Sequence, residues 1–362
     1  MIATSTASPR LNASRRPTPK PRPQPSPTDN SGGDNTTVAP YIGGATIFPK
    51  AHEMIQNAKQ SVQLEMYEFE NDEAGSAKGP EVPGAQEQQQ LMHDLVDAAQ
   101  RGVDVQVILD QSKGKNGDLH NDGMMQYLKQ NGVNVIAYPP DTVNIDHVKL
   151  LVTDSQQALI GGMNWGNHSP VNHDADVLVT GAGARNLQSQ IFDQDWLFSG
   201  GKLDHDPAPV TSDPKVTPLE TAPVKENGGA HSILDGVLNE IKNTKDHAYI
   251  EMYTLTHDDV VNELLAAKQR GVDVKVLLDP SERRVNQKAM DTLNQAGIPT
   301  KWYAVDTKNR QLLHAKWGEF DNQDLIIGSG NWSVNGLGKE TGRARHNHES
   351  DVLVHDQDTA QA

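Results

Sequence analysis

An α/β fold made of two pseudo-symmetric units is predicted by three observations. First, the chain of 362 residues repeats itself: HVKLLVTDSQQALIGGMN, from His147, returns 167 residues later as HAKWGEFDNQDLIIGSGN, from His314. Second, the segments before each copy also correspond. GVDVQVILD at Gly102 matches GVDVKVLLD at Gly271, and QLEMY at Gln63 matches YIEMY at Tyr249. In both halves helical patterns alternate with short apolar runs, the order that gives mixed, partly parallel sheets with helices outside. Third, Gly200–Gly229 carries five prolines among polar residues and reads as a linker between the copies.

In chain order, residues 1–40 are rich in Pro, Ser, Thr and Asn and hold almost no large apolar side chain, so they read as a disordered tail. No apolar stretch follows the early arginines, so they do not read as a secretory signal. Phe48–Gln60 has helical periodicity, and Val62–Tyr67 alternates as a strand does. Asn71–Gln90, with its glycines, prolines and charges, is expected to be a long loop. Gln88–Arg101 is predicted helical, stopped by Gly102. Val103–Leu109 is a strand, Met124–Gln130 a helix stopped by Gly132, and Val133–Tyr138 a strand. The second half follows the same plan. Ser232–Lys242 is helical, Ala248–Tyr253 a strand, Asp259–Arg270 a helix stopped by Gly271, Gly271–Asp279 a strand and Asn286–Gln295 a helix. The organisation is therefore a tail over 1–40, a first half over 41–199, the linker over 200–229 and a second half over 230–358.

The net charge is −16. Residues beyond 40 hold 27 basic against 46 acidic side chains, a net of −19. That surface opposes tight, sequence-blind binding of nucleic acid. There is no cysteine, which removes disulfides and Cys-ligated zinc. No apolar run is long enough to span a bilayer. A soluble protein is expected, cytoplasmic or exported without a cleavable signal peptide.

The repeated motif has a geometric logic. In H-x-K, residues two apart on a strand share a face, so His147 projects with Lys149 and His314 with Lys316. Each half supplies one imidazole and one ammonium. A phosphodiester displacement needs a nucleophile, a proton donor and charge-neutralising groups, which the two halves supply together. Small residues at Gly161, Gly162, Gly328 and Ser329 let backbone N–H groups approach an anion, and the amides of Asn164 and Asn331 are donors for phosphate oxygens.

These two motifs, HxKx4Dx6G[SG]xN, resemble the HKD signature of the phospholipase D superfamily, over about Tyr41 to Asp356. The resemblance implies two phospholipase D-like αβ units packed together and no cofactor, and a monomer is expected because one chain carries both motifs. It implies catalysis by the motif residues His147, Lys149, Asp154, His314, Lys316 and Asp321, with one neutral histidine attacking phosphorus to give a phosphohistidine and the other acting as acid and then base. His147 is expected to be the nucleophile on family precedent. Lys149, Lys316, Asn164, Asn331 and Ser329 are expected to hold the phosphate. Asp154 and Asp321 lie five residues past the lysines and are expected to brace the motif. Asp174 and Glu349, in the matching NHDAD and NHESD segments, are expected to accept a hydrogen bond from a catalytic imidazole, with Asp176 and Asp351 as the alternatives. One departure stands out: Gly162 replaces the serine that the second copy keeps as Ser329.

A metal centre at His168, His173, His346 and His348 is the rival reading; their spacing matches no common ligand pattern. Trp165 and Trp332 are expected in the core. Three substrate classes fit the resemblance: a phospholipid headgroup cleaved or exchanged with peripheral contact at a membrane surface, transfer between phospholipids as in cardiolipin synthases, and nucleic acid, which the charge disfavours. Lys339, Arg343, Arg345 and His346 in the loop Gly336–Asn347 could hold an anionic group.

Overall fold

The computed structural model describes residues 35–70, 85–111, 121–139, 142–204, 207, 209, 211–223, 230–338 and 346–362. The stretch 35–362 forms one compact unit. The first half runs β1 (Val38–Ile42), α1 (Gly44–Asn57), β2 (Ser61–Met66), α2 (Ala85–Gln100), β3 (Asp104–Leu109), α3 (Asn121–Gln130), β4 (Asn134–Ala137), β5 (Lys149–Thr153), β6 (Gln157–Gly161), β7 (Ala175–Thr180), α4 (Ala182–Leu187) and α5 (Asp193–Phe198). The second runs β8 (Val216–Thr221), α6 (Ser232–Asn243), β9 (His247–Met252), α7 (Asp258–Arg270), β10 (Asp273–Leu278), α8 (Arg283–Gln295), β11 (Thr300–Trp302), β12 (Lys316–Phe320), β13 (Asp324–Gly328), α9 (Val334–Leu337), β14 (Glu349–His355) and α10 (Gln357–Ala360).

Each half makes a seven-stranded sheet, and the two orders are equivalent: β1-β7-β6-β5-β2-β3-β4 and β8-β14-β13-β12-β9-β10-β11. In each, the βαβ part is parallel (β2 with β3 and β3 with β4; β9 with β10 and β10 with β11), and the motif strands add to it antiparallel. The helices form because their apolar side chains recur on one side. In α6, Ile233, Leu234, Val237 and Ile241 are buried against the sheet. Gly271 ends α7 with φ 98°, a left-handed cap that only glycine takes without strain.

Two expectations about boundaries change. β1 begins at Val38, inside the predicted tail, and β8 occupies Val216–Thr221, inside the predicted linker. These are the same edge strand in the two halves. Each contains a proline, Pro40 and Pro218, which is tolerated at a sheet edge and which made both segments read as unstructured. Helix α2 starts at Ala85, earlier than expected, and residues 71–84 of the predicted loop lie outside the described residues, as do 1–34, 224–229 and 339–345.

Three apolar cores result. One underlies the first sheet's α1 and α2, and one underlies α6 and α7 in the second half. The third joins the halves: Val152, Ile160 and Val177 cluster with Leu325, Ile327 and Val352. This is a face-to-face sheet contact, and its residues are the alternate positions left over once the other face is committed to helices.

Candidate active site

The site forms where segments leading into the motif strands cross from one half to the other. The N–H of His147 donates to the carbonyl of His348, and the N–H of His314 to the carbonyl of His173, each at 2.8 Å. Asp146 bridges His348, and Leu313 bridges His173, in short parallel pairings. The backbone of each half thus fixes where the other half's histidine sits.

The side chains repeat this crossing. His147 Nδ1 lies 2.8 Å from Glu349 Oε2, and His314 Nδ1 lies 2.7 Å from Asp174 Oδ2. A carboxylate bound at Nδ1 holds the hydrogen there and leaves Nε2 as the reactive nitrogen of a neutral ring. Both rings are buried, at 5 % and 8 % exposure, and both carboxylates are fully buried. Burial pushes the His147 imidazolium down to about 4, opposed by Glu349 and assisted by Lys149. Burial, then the charge of Lys316, also lowers His314. Burial would raise Asp174 and Glu349, but their histidines and the lysines outweigh it and hold both below the usual carboxylate range.

Lys149 and Lys316 share this pocket. Each Nζ donates to the carbonyl of its own motif histidine at 2.5 Å. Burial, reinforced by the charge of Lys316, pushes Lys149 down to about 7, and burial lowers Lys316. Two buried ammonium groups that repel each other are stabilised by an anion between them, which is the condition for binding a phosphate.

Two tyrosines complete the walls and were not singled out from the sequence. Tyr67 meets His147 edge-on, with ring centroids 4.8 Å apart, and Tyr253 packs on His314 at 5.1 Å. Lys149 Nζ lies 5.0 Å from the Tyr67 ring centre and Lys316 Nζ 5.6 Å from that of Tyr253. Their sequence signal was the last letter of the repeated QLEMY and YIEMY segments.

The remaining expected residues divide into those that face the rings and those that support them. Asp154 and Asp321 lie at the far ends of β5 and β12. Asp154 accepts the N–H groups of Lys59, Gln60 and Ser61, and Asp321 those of Lys245, Asp246 and His247. Both are in left-handed turns, with φ 52° and 57°. They tie the motif strand to the start of the neighbouring strand, a bracing position, and so stand apart from the residues at the rings. Ser329 also moves out of the phosphate-binding set. Its fully buried hydroxyl donates to Glu349 Oε2 at 2.6 Å and accepts the N–H of Ser350. Asn164 Nδ2 donates to Glu68 Oε2 at 3.1 Å, and Asn331 Oδ1 accepts the N–H of Thr254. Asp176 and Asp351 bind backbone instead of imidazole, at Met163 N and Gly330 N. Burial raises both, Asp351 to about 8.

The glycine at 162 has a steric reason. A Cβ there would come within 2.2 Å of Asp174 Oδ1. The first half thus pairs a glycine with a short carboxylate, and the second pairs Ser329 with the longer Glu349. Trp165 and Trp332 are buried, in the first and second cores.

Of the histidines weighed as metal ligands, His173 is held by Glu251 at 2.9 Å and stacks on Tyr303, and His348 stacks on Tyr138. Glu65, Asp146 and His348 are spaced as metal ligands could be. The His348 ring lies 3.0 Å from Asp146 and 3.4 Å from Asp195. Among the described residues no helix is long and apolar enough to cross a membrane.

Two crossed His–carboxylate pairs on paired mixed sheets define a phospholipase D-like protein. The family model described as "Cardiolipin synthase, PLD-like domain" matches residues 52–196 and 237–362, and the chain belongs to this family. It is 22% identical over 320 residues to cardiolipin synthase 1 of Staphylococcus aureus (strain COL), covering 82% of this chain and 61% of that protein. It is 23% identical over 362 residues to cardiolipin synthase of Clostridium perfringens (strain 13 / Type A), covering 91% and 70%. The chain thus spans about three fifths of the length of the first of these relatives. In fold it is similar to phosphatidylserine synthase of Haemophilus influenzae Rd KW20, with TM-score 0.65, 13% identity and coverage of 89% and 83%.

Proposed function

We propose that the chain transfers a phosphatidyl group: it breaks the headgroup phosphodiester of a phospholipid and passes the phosphorus to an acceptor alcohol or to water. The observation that carries this reading is the pair of imidazoles held at Nδ1 by carboxylates of the opposite half, beside two buried lysines. The synthases among the relatives favour an alcohol as acceptor, and the net charge of −16 disfavours a nucleic-acid substrate.

In this reading Nε2 of neutral His147 attacks phosphorus, the bond from phosphorus to the headgroup oxygen breaks, and protonated His314 gives that oxygen its proton. In the second step His314 takes a proton from the acceptor hydroxyl, whose oxygen attacks phosphorus and releases His147. Lys149 and Lys316 neutralise the charge that builds on the non-bridging oxygens.

A p-nitrophenyl phosphodiester tests the roles, because its leaving group needs no proton. His314→Ala should release about one equivalent of nitrophenol per protein and then stall as an acid-labile phosphoenzyme; His147→Ala should release none. The reverse pattern exchanges the two roles, and full turnover by both variants refutes the mechanism. Labelled phosphatidylglycerol, with products separated into free phosphatidic acid and diphosphatidyl lipid, measures hydrolysis against transfer.

A further inference from the structure

The two halves repeat the groups around the phosphate position but differ just beyond Tyr67 and its counterpart Tyr253. The first half continues with Glu68 and Glu70; the second has Thr254 and Thr256 at the same places. The equivalence is structural, since Phe69 bridges Trp165 as Leu255 bridges Trp332.

Each acid takes one donor, and an acceptor oxygen is left beside it. Glu68 Oε2 takes the amide of Asn164, and its carboxylate packs where a Cβ on Gly166 would lie. Glu70 Oε2 takes the N–H of Asn167 at 3.0 Å. The side-chain oxygens of Asn164 and Asn167 are buried and have no hydrogen-bond partner among the described residues, and Asn164 is only 7 % exposed. Two carboxylates and two unpartnered amide oxygens call for a ligand that donates hydrogen bonds and carries positive charge. Burial, and then the charge of Glu70, push Glu68 up to about 7, while Lys149 pulls it down. A cation would relieve the repulsion between the two acids, and Glu68, next to the Tyr67 that packs on His147 and bonded to Asn164 of the motif, stands at the border of the site.

We propose that Glu68, Glu70, Asn164 and Asn167 form a subsite for a primary ammonium attached through two carbons to the phosphate held by the histidines and lysines. The ligand class is an ethanolamine-type phosphodiester headgroup. A quaternary ammonium has the charge but no N–H to satisfy the amide oxygens, and a glycerol headgroup has donors but no charge. The proposal rests on the phosphodiester reading above for where the phosphate sits.

Calorimetric titration of the full chain with O-phosphoethanolamine, phosphocholine and glycerol 3-phosphate tests it, because the three share a phosphate monoester and differ in the group beyond it. Phosphoethanolamine should bind about tenfold more tightly than the other two. Glu68→Gln and Glu70→Gln, each of nearly unchanged shape, should bring that ratio to within about twofold of unity. Equal affinities in the unmodified protein, binding of none of the three, or a preference that survives both substitutions overturns the subsite. Headgroup release from phosphatidylethanolamine is measured separately. Selective binding without lipid turnover upholds the subsite and removes the transferase reading, and turnover without selective binding does the opposite.

Discussion

Restoring serine in the first motif should damage the protein. Gly162→Ser adds a Cβ that would sit 2.2 Å from Asp174 Oδ1, where real contacts of this kind stay above 3.0 Å. The carboxylate must therefore retreat by at least 0.8 Å, the difference between those distances. The clash is at Oδ1, but the carboxylate moves as a unit, so the 2.7 Å hydrogen bond of its Oδ2 with His314 Nδ1 would stretch by up to that amount, to about 3.5 Å, the limit of hydrogen bonding. A hydrogen bond to a charged group contributes about 1.5–3 kcal/mol. At about 1.4 kcal/mol per tenfold, kcat should fall about 10- to 100-fold. Headgroup release measures the rate, and loss of the low-field Nδ1 proton resonance of His314 reports the bond without any turnover. The double variant Gly162→Ser with Asp174→Glu copies the Ser329–Glu349 arrangement and should recover most of the loss. A single variant with kcat within about twofold of the original would refute the steric argument, as about 0.4 kcal/mol is well short of a lost bond.

The remaining predictions are these. Because burial depresses His147 to about 4, the folded protein binds fewer protons than the unfolded chain between that value and the ordinary 6.5; the stability tied to this group is full above 6.5 and is lost as pH falls toward 4, and His314 acts in the same direction. Urea melts across that range check it, and a midpoint independent of pH would count against it. The rate should fall on the alkaline side as Lys149, held near 7, loses its proton; a kcat/KM profile level from pH 6 to 9 would be roughly the opposite of that expectation. Asp154→Ala and Asp321→Ala should each cost about 1–3 kcal/mol by leaving three backbone donors without their carboxylate. Thermal melts should show that loss, with smaller effects on kcat than Gly162→Ser.

The two-unit architecture was legible because the repeat carries both the apolar pattern and the motif. What escaped notice did so for physical reasons. β1 and β8 are edge strands containing Pro40 and Pro218, and a proline in a short polar stretch looks the same whether the stretch is an edge or a linker. Asp174 and Glu349 could be chosen as carboxylates near the motifs. That each serves the histidine of the other half depends on contacts spanning 140 and 202 residues, which local pattern does not encode. Ser329 looked like a phosphate ligand because its hydroxyl lies in a glycine-rich turn; that turn points it inward to Glu349.

The proposed chemistry needs one neutral and one protonated imidazole, and the halves differ where that distinction is made. Glu349 divides its acceptor capacity among His147, the hydroxyl of Ser329 and the amide of Asn347, at 2.8, 2.6 and 2.9 Å. Asp174 faces Gly162 and has no hydroxyl donor there; besides His314, its carboxylate takes the N–H of Ala175. A carboxylate satisfied by several donors stabilises a neighbouring imidazolium less than one that gives most of its charge to a single ring. The serine that makes the second motif complete thus weakens the hold of Glu349 on a proton at His147, and the glycine that departs from the motif strengthens that of Asp174 at His314. Equivalent strands of the two halves each carry a histidine held by the other half's carboxylate, and the substitution at position 162 makes the surroundings of those two carboxylates unequal.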